Sequence, residues 1–549
     1  MRSSTRPLSI TTMALGIGFA VFAPAACSDS DSSDPSPDSS SSSQSPEEPF
    51  SFSVSISEPS SIDPALNADI EGAQVTRLLV ETLVTLTPDL QLAPGVATEW
   101  SLGDDGVTWT FLLNPDAAYS DGRPVVAADF EFAFARSADP DLAAVPSYQG
   151  YPIAGWADVL EAEPSGAIGD VPVSGVAAVD DHTLTVTTDG PFALLPKVLT
   201  YPIFAPLPAD FVATEESAAA FLDAPIGNGP YMVAEPWQHN ESITVVRNPH
   251  YSGTPGRADS IEFRIYSDTL TAYKDFEADA IDIARTLPPE ALAPAREAYP
   301  DSFVVTHAAL LSYIGFPSNV APFDNPDIRL AFSLAIDRQA IADRVYEGTA
   351  SPATGMVPSL APGALQGVCD ACTYDPERAK QLFEDAGGVP GNSIVVYNIS
   401  DDGTASLDPI LNSWRELFGI EIEVRSFEFG QFLDETAPGK PVGPFELSWV
   451  WDYPSGYSFL SPLFESTSGV NNFGYADADF DEQLRLTREA ADEAAGLPYL
   501  GEAQRIVESA MPLAPVTFSD DVGVHSTKLT NVVVDAGSLW RLELVAPAS

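Results

Sequence analysis

Basic residues are scarce in this chain. It has 25 lysines and arginines against 79 acids, a formal net charge of −54. Only Arg2, Arg6 and six of the acids precede residue 50, so the acidity belongs to the folded body. That balance argues against nucleic acid as a partner, since such affinity comes mainly from Lys and Arg on phosphates. It mildly favours cationic or zwitterionic ligands through long-range steering, which salt screens beyond ~8–10 Å. The plainer account is solubility, in salty surroundings included. Histidines number five (His182, His239, His250, His307, His525), scattered and without an H-E-x-x-H pair. There is no G-x-S-x-G nucleophile elbow. Gly439-Lys440 lacks the glycine of a phosphate-binding loop, since position 434 is Asp. Asp477-Ala478-Asp479-Phe480-Asp481 imitates a calcium loop, but Glu482 and Arg488 stand where Gly and Glu belong. An acid-rich helix start is the better reading. Nothing nominates a catalyst, and neither metal nor cofactor is expected.

Cysteines number three. Cys369 and Cys372 form a C-x-x-C in a Gly/Pro-rich loop, where a zinc site lacks further ligands and a redox pair lacks its βαβ setting. Outside the cytosol the expectation is a disulfide staple.

Long apolar runs are also missing, and the longest, Met13–Phe22, is shorter than the ~20 residues of a membrane span. Arg2 and Arg6 precede it and small residues follow it, the order of an export signal over residues 1–26. Cys27 directly after Ala25-Ala26 is a candidate for lipidation, although Pro24 stands where a Leu-like residue is usual. The other reading is plain cleavage that leaves Cys27 incidental. Ser28–Pro49 is almost all Ser, Asp, Pro and Glu, a solvated tether. Together these features predict an extracytoplasmic protein held on the outer face of the cytoplasmic membrane by an N-terminal anchor only.

The body, from about residue 50 to 549, is long enough for two to four domains of ~100–200 residues. Phe50, Phe52, Val54 and Ile56 alternate at strand period. Trp100–Leu102 and Val107–Phe111 flank Gly103-Asp104-Asp105-Gly106, a predicted hairpin. Asp181–Val186, Ser242–Val246 and Ile261–Ile265 read as further strands. Asn325-Pro326 opens a helical stripe of Ile328, Ala331, Phe332, Ala335, Ile336 and Ile341. Asp375-Pro376-Glu377 starts a helix that Gly387-Gly388 ends. Phe480–Glu489 and Ala503–Ala510 are two more predicted helices. The mixture is α/β.

Several stretches, in order, resemble the peptide-binding branch of the solute-binding proteins of ABC importers, family 5 (the oligopeptide- and dipeptide-binding lipoprotein type). Leu78–Arg136 contains P-x-x-A-x-x-W, a hairpin and YSDGRPVVAAD. Ile226–Tyr251 contains GNGPY and NPHY. Ala321–Thr354 contains APFDNPDIRLAFSLAIDR, and Tyr374–Gly387 reads YDPERAKQLFEDAG. Gly227 and Gly229 bracket a turn where a side chain would clash. The resemblance implies a type II periplasmic-binding-protein fold (large cluster C) with two lobes hinged by two strands. Lobe I would be 50–306 and 512–549, with an extra subdomain over about 88–222, and lobe II 307–511. Ligand would close the lobes by hinge motion.

Leu447–Tyr453, LSWVWDY, is similar to the family's G-W-x-x-D-Y stretch, whose aspartate holds a peptide's α-ammonium. The resemblance gives that role to Asp452, with Trp449, Trp451 and Tyr453 as aromatic walls; the physics is a charge-assisted hydrogen bond beside cation–π faces. Glu71, Tyr148 and Phe429 are further lining candidates. The rest of a peptide would bind as an added strand. Some members place an arginine six residues before the aspartate to meet the peptide carboxylate; this chain has Glu446. The histidine that some members carry near Asn398–Gly403 is also missing. The expected function is peptide capture for a permease and an ATPase on separate chains, by a monomer that is not an enzyme. The alternatives are the same fold with a nickel chelate, an oligosaccharide or a modified amino acid, or a peptide-binding surface receptor without transport.

Overall fold

The strand Ser51–Ile56 lies at the centre of one half of a large mixed sheet, buried at every position but the first. Its alternating Phe52, Val54 and Ile56 pack into a core with Ile243, Val245, Ile261, Phe263 and Trp540. The computed structural model describes residues 49–400 and 404–548; the expected signal, Cys27 and the tether up to Glu48 lie outside the described residues.

Ser51–Ile56 pairs in parallel with Ser260–Ile265, which is followed outward by Ser242–Arg247 and Tyr231–Val233, both antiparallel. On its other side comes the short Ile283–Ala284 and then the 13-residue strand Leu513–His525. Leu513–His525 pairs along its length with a second 13-residue strand, Phe303–Gly315. Phe445–Val450 continues the sheet from that strand, then Ser393–Ile399 and Glu421–Phe427. The two long strands thus belong to both halves of the sheet. Their register breaks twice, between His307 and Leu310 and between Ser312 and Tyr313.

A separate four-stranded sheet is formed by Ala97–Leu102, Thr108–Leu113, Thr183–Thr187 and Val176–Asp180 in that order, and the predicted hairpin is its first pair. The second half of the large sheet packs on a core with Phe332, Trp414, Val396 and Ile314.

The helix expected from Asn325 is two helices, Pro326–Leu334 and Arg338–Arg344. Asp337 caps the second by accepting from the Ala340 amide, and Ile341 reaches the same core from it. The helix expected over Ala503–Ala510 is the end of Glu493–Ala510, opened by the Asp492 cap. Pro498 lies inside that helix and hides its first half, because proline reads as a breaker. Asp477 caps Ala478–Arg488, accepting from the Asp479 and Phe480 amides. Cys369 and Cys372 are joined, S–S 2.07 Å, around the turn Asp370–Cys372. A Cβ at Gly227 would collide with the Leu79 carbonyl, which explains that glycine.

Candidate functional site

A cavity of about 540 Å³ lies where the two halves of the sheet meet. Its walls come from the helix Ile70–Leu79, the turn Val145–Gly150, the long strand at Leu310 and Ser312, and the strand Phe445–Val450 with the residues after it. The helix Phe429–Thr436 and the segment around Asp535–Leu539 complete it.

Strand geometry brings LSWVWDY to this space. Phe445–Val450 is hydrogen-bonded to Leu310–Gly315, and the chain leaves the sheet at Trp451. Asp452 then lies against the cavity. Its carboxylate accepts from the Tyr148 hydroxyl at 3.0 Å, and its own amide donates to Ser458 Oγ at 2.8 Å. The Ser458 hydroxyl is 3.4 Å from the same carboxylate oxygen. Burial pushes Asp452 up to about 7, against the opposing effect of the Gln149, Tyr148 and Ser458 side chains. Gln149 comes close enough to oppose the shift, yet its buried Nε2 makes no well-formed hydrogen bond.

Trp449, Trp451 and Tyr453 all line the cavity. The Trp449 indole donates to the Ser458 carbonyl at 3.1 Å, and its ring centre lies 6.3 Å from that of Tyr148. Phe429, at the start of its helix, lines the cavity beside Leu433.

Glu71 is not among the lining residues. Its carboxylate accepts from Arg285 at 2.7 and 3.3 Å. On its helix, Ile70, Ala73 and Arg77 form the cavity face, the i, i+3, i+7 set, and Glu71 falls on the neighbouring face. Sequence reasoning missed Arg77 and Gln149. It noted Glu446 only as a departure; this residue lines the cavity, accepts from Ser406 Oγ at 2.8 Å, and is pushed by burial up to about 7.

Residues 91–471 match the model of the bacterial extracellular solute-binding proteins, family 5 Middle. The chain belongs to this family. It is similar to the dipeptide-binding protein DppE of Bacillus subtilis, 27% identical over 492 residues, which is 87% of this chain and 88% of that protein. Among solved structures it is similar to the Escherichia coli murein tripeptide binding protein MppA, with a TM-score of 0.83 and 24% identity, covering 91% of this chain and 99% of that one. It is also similar to Haemophilus influenzae OppA in complex with RPPGFSPFR, with a TM-score of 0.82 and 25% identity, covering 92% and 100%. The fold is therefore the two-lobed type II binding-protein fold. The family is one of binding proteins, and among the described residues no helix is long and apolar enough to cross a membrane.

Proposed function

We propose that this member of the family is the extracytoplasmic receptor of an ABC importer, capturing peptides between its lobes and handing them to a permease and ATPase on separate chains. The observation that carries the reading is the carboxylate of Asp452, enclosed by Tyr148 and Ser458 in the wall of an aromatic-lined cavity. A fixed, desolvated carboxylate suits an α-ammonium excluded from water. The relatives named for dipeptides and oligopeptides, and the neighbour holding RPPGFSPFR, support the same ligand class.

In this reading Asp452 receives the ammonium, and Trp449, Trp451, Tyr453, Tyr148 and Phe429 enclose the first residues of the peptide. Lobe I is 50–306 and 512–549 with its subdomain over about 88–222, and lobe II is 307–511. Cys27 is lipidated after removal of residues 1–26, and residues up to 49 tether a monomer to the outer face of the membrane. The ligand leaves unaltered. Mass spectrometry of what co-purifies with the native protein tests this. Intact peptides are the expected finding; a non-peptide solute would overturn the ligand class, and shortened peptides after incubation would overturn the binding role.

A further inference from the structure

Among the described residues, five charged side chains line the cavity: Asp69, Glu446, Asp452, Asp535 and a single cation, Arg77. The four acids each have partners. Asp69 caps its helix through Gly72 and accepts from the Ser60 amide. Glu446 accepts from Ser406, and Asp452 from Tyr148. Asp535 accepts from the Gly537 and Leu539 amides at 2.9 and 3.2 Å, and its other oxygen lies 3.8 Å from Arg541 Nη1.

Arg77 differs. It stands in the last turn of Ile70–Leu79, on the cavity face with Ile70 and Ala73. Among the described residues it makes neither a hydrogen bond nor an ion pair. Burial pulls its guanidinium below the ordinary value, more than the attraction of Asp535 restores. The side chain is half-buried and faces the cavity, so its donors remain open to a ligand there. A guanidinium also presents paired donors that match a carboxylate. Arg77 and Asp452 line the same cavity, so one ligand can meet both groups.

We propose that Arg77 is the carboxylate anchor of the cavity, which selects peptides carrying a free carboxylate. The proposal rests on the peptide reading above. The anionic end is thus held from lobe I, while Asp452 holds the cationic end from lobe II, and a zwitterionic peptide joins the lobes through both termini. The inverted charge at Glu446 then costs the ligand no anchor.

The test is calorimetric titration of the wild type, Arg77→Met and Arg77→Lys with trialanine and trialanine amide. Ala-Glu-Ala amide and Ala-Gln-Ala amide form a second pair that separates a side-chain carboxylate from a terminal one. The wild type should prefer the acid of at least one pair by roughly 10- to 100-fold. Arg77→Met should lose that preference, its affinity for the acid falling to near that for the amide, and Arg77→Lys should restore part of it. A wild type indifferent to the acid in both pairs overturns the proposal, whether or not the variants fold. So does an Arg77→Met protein that loses acid and amide equally. Failure of the wild type to bind any of the four peptides overturns the peptide reading and this proposal together.

Discussion

The Tyr148 hydroxyl donates to Asp452 across 304 residues of chain, at 3.0 Å. Tyr148 comes from the turn before the four-stranded sheet's later strands, and Asp452 from the end of Phe445–Val450. The bond therefore ties the two sides of the cavity at the group proposed to hold the ligand's amine. Lys197 makes a second tie, to Glu493 at 2.7 Å and the Pro454 carbonyl at 3.0 Å.

Asp452→Asn keeps the shape of the side chain and removes its charge. Binding of free-amino tripeptides should weaken about 100-fold, the scale of a charge-assisted hydrogen bond. N-acetylated peptides should change by less than about threefold. Isothermal titration of both series checks this, and equal losses would remove the ammonium role from Asp452.

Binding should depend on pH through the same group. In the empty protein Asp452 is raised to about 7, and an ammonium beside it favours the ionised form. Ligand uptake therefore expels a proton below pH 7, and affinity falls as pH falls, by up to about tenfold per unit. Titrations at pH 5 and pH 8 in two buffers of different ionisation enthalpy read both the affinity and the released proton.

Stability of the ligand-free protein should run the other way. Asp452, Glu446 and Glu508 are raised to about 7, all by burial. Between about pH 4 and 7 the folded state holds more protons than the unfolded one, so stability declines as pH rises through that window. Each group contributes up to about 1.4 kcal/mol per pH unit there. The melting temperature should be higher at pH 5 than at pH 8, and Asp452→Asn should reduce the difference.

Removing the second tie should act on kinetics. Lys197 and Glu493 are both partly exposed, so their pair is worth only about 0.2–1 kcal/mol. Lys197→Met should raise the peptide off-rate by a factor of about 2–5 and leave the melting temperature nearly unchanged. Stopped-flow displacement measures the rate.

A different pair should govern folding. Arg136 meets Asp63 through both terminal nitrogens at 3.1 and 2.6 Å, and the Asp63 side chain is 0% exposed. Asp63→Ala strands the guanidinium in the interior and should cost about 3–5 kcal/mol in urea unfolding.

Much of this site was legible because it is local in sequence. LSWVWDY carries a strand, its exit and three aromatic walls within seven residues, so one resemblance located them together. Glu71 failed because one helical position is a rotation of about 100°, enough to exchange the cavity for Arg285. Arg77 was invisible for another reason. A lone arginine in a last helical turn looks like ordinary dipole compensation, and only the fold reveals that it faces the cavity without a hydrogen bond or ion pair among the described residues. The helix break at Asp337 was likewise hidden, since Ile341 returns to the same core and keeps the apolar stripe intact.

The Gln74 side chain grips the Trp540 backbone with both ends of its amide, at 2.7 and 2.9 Å, and Trp540 shares its core with Phe52 and Val54. The opening strand and the closing residues thus complete one another. A chain still emerging lacks the residues that close the core around Ser51–Ile56, and a product cut short before Leu513 would leave that core open.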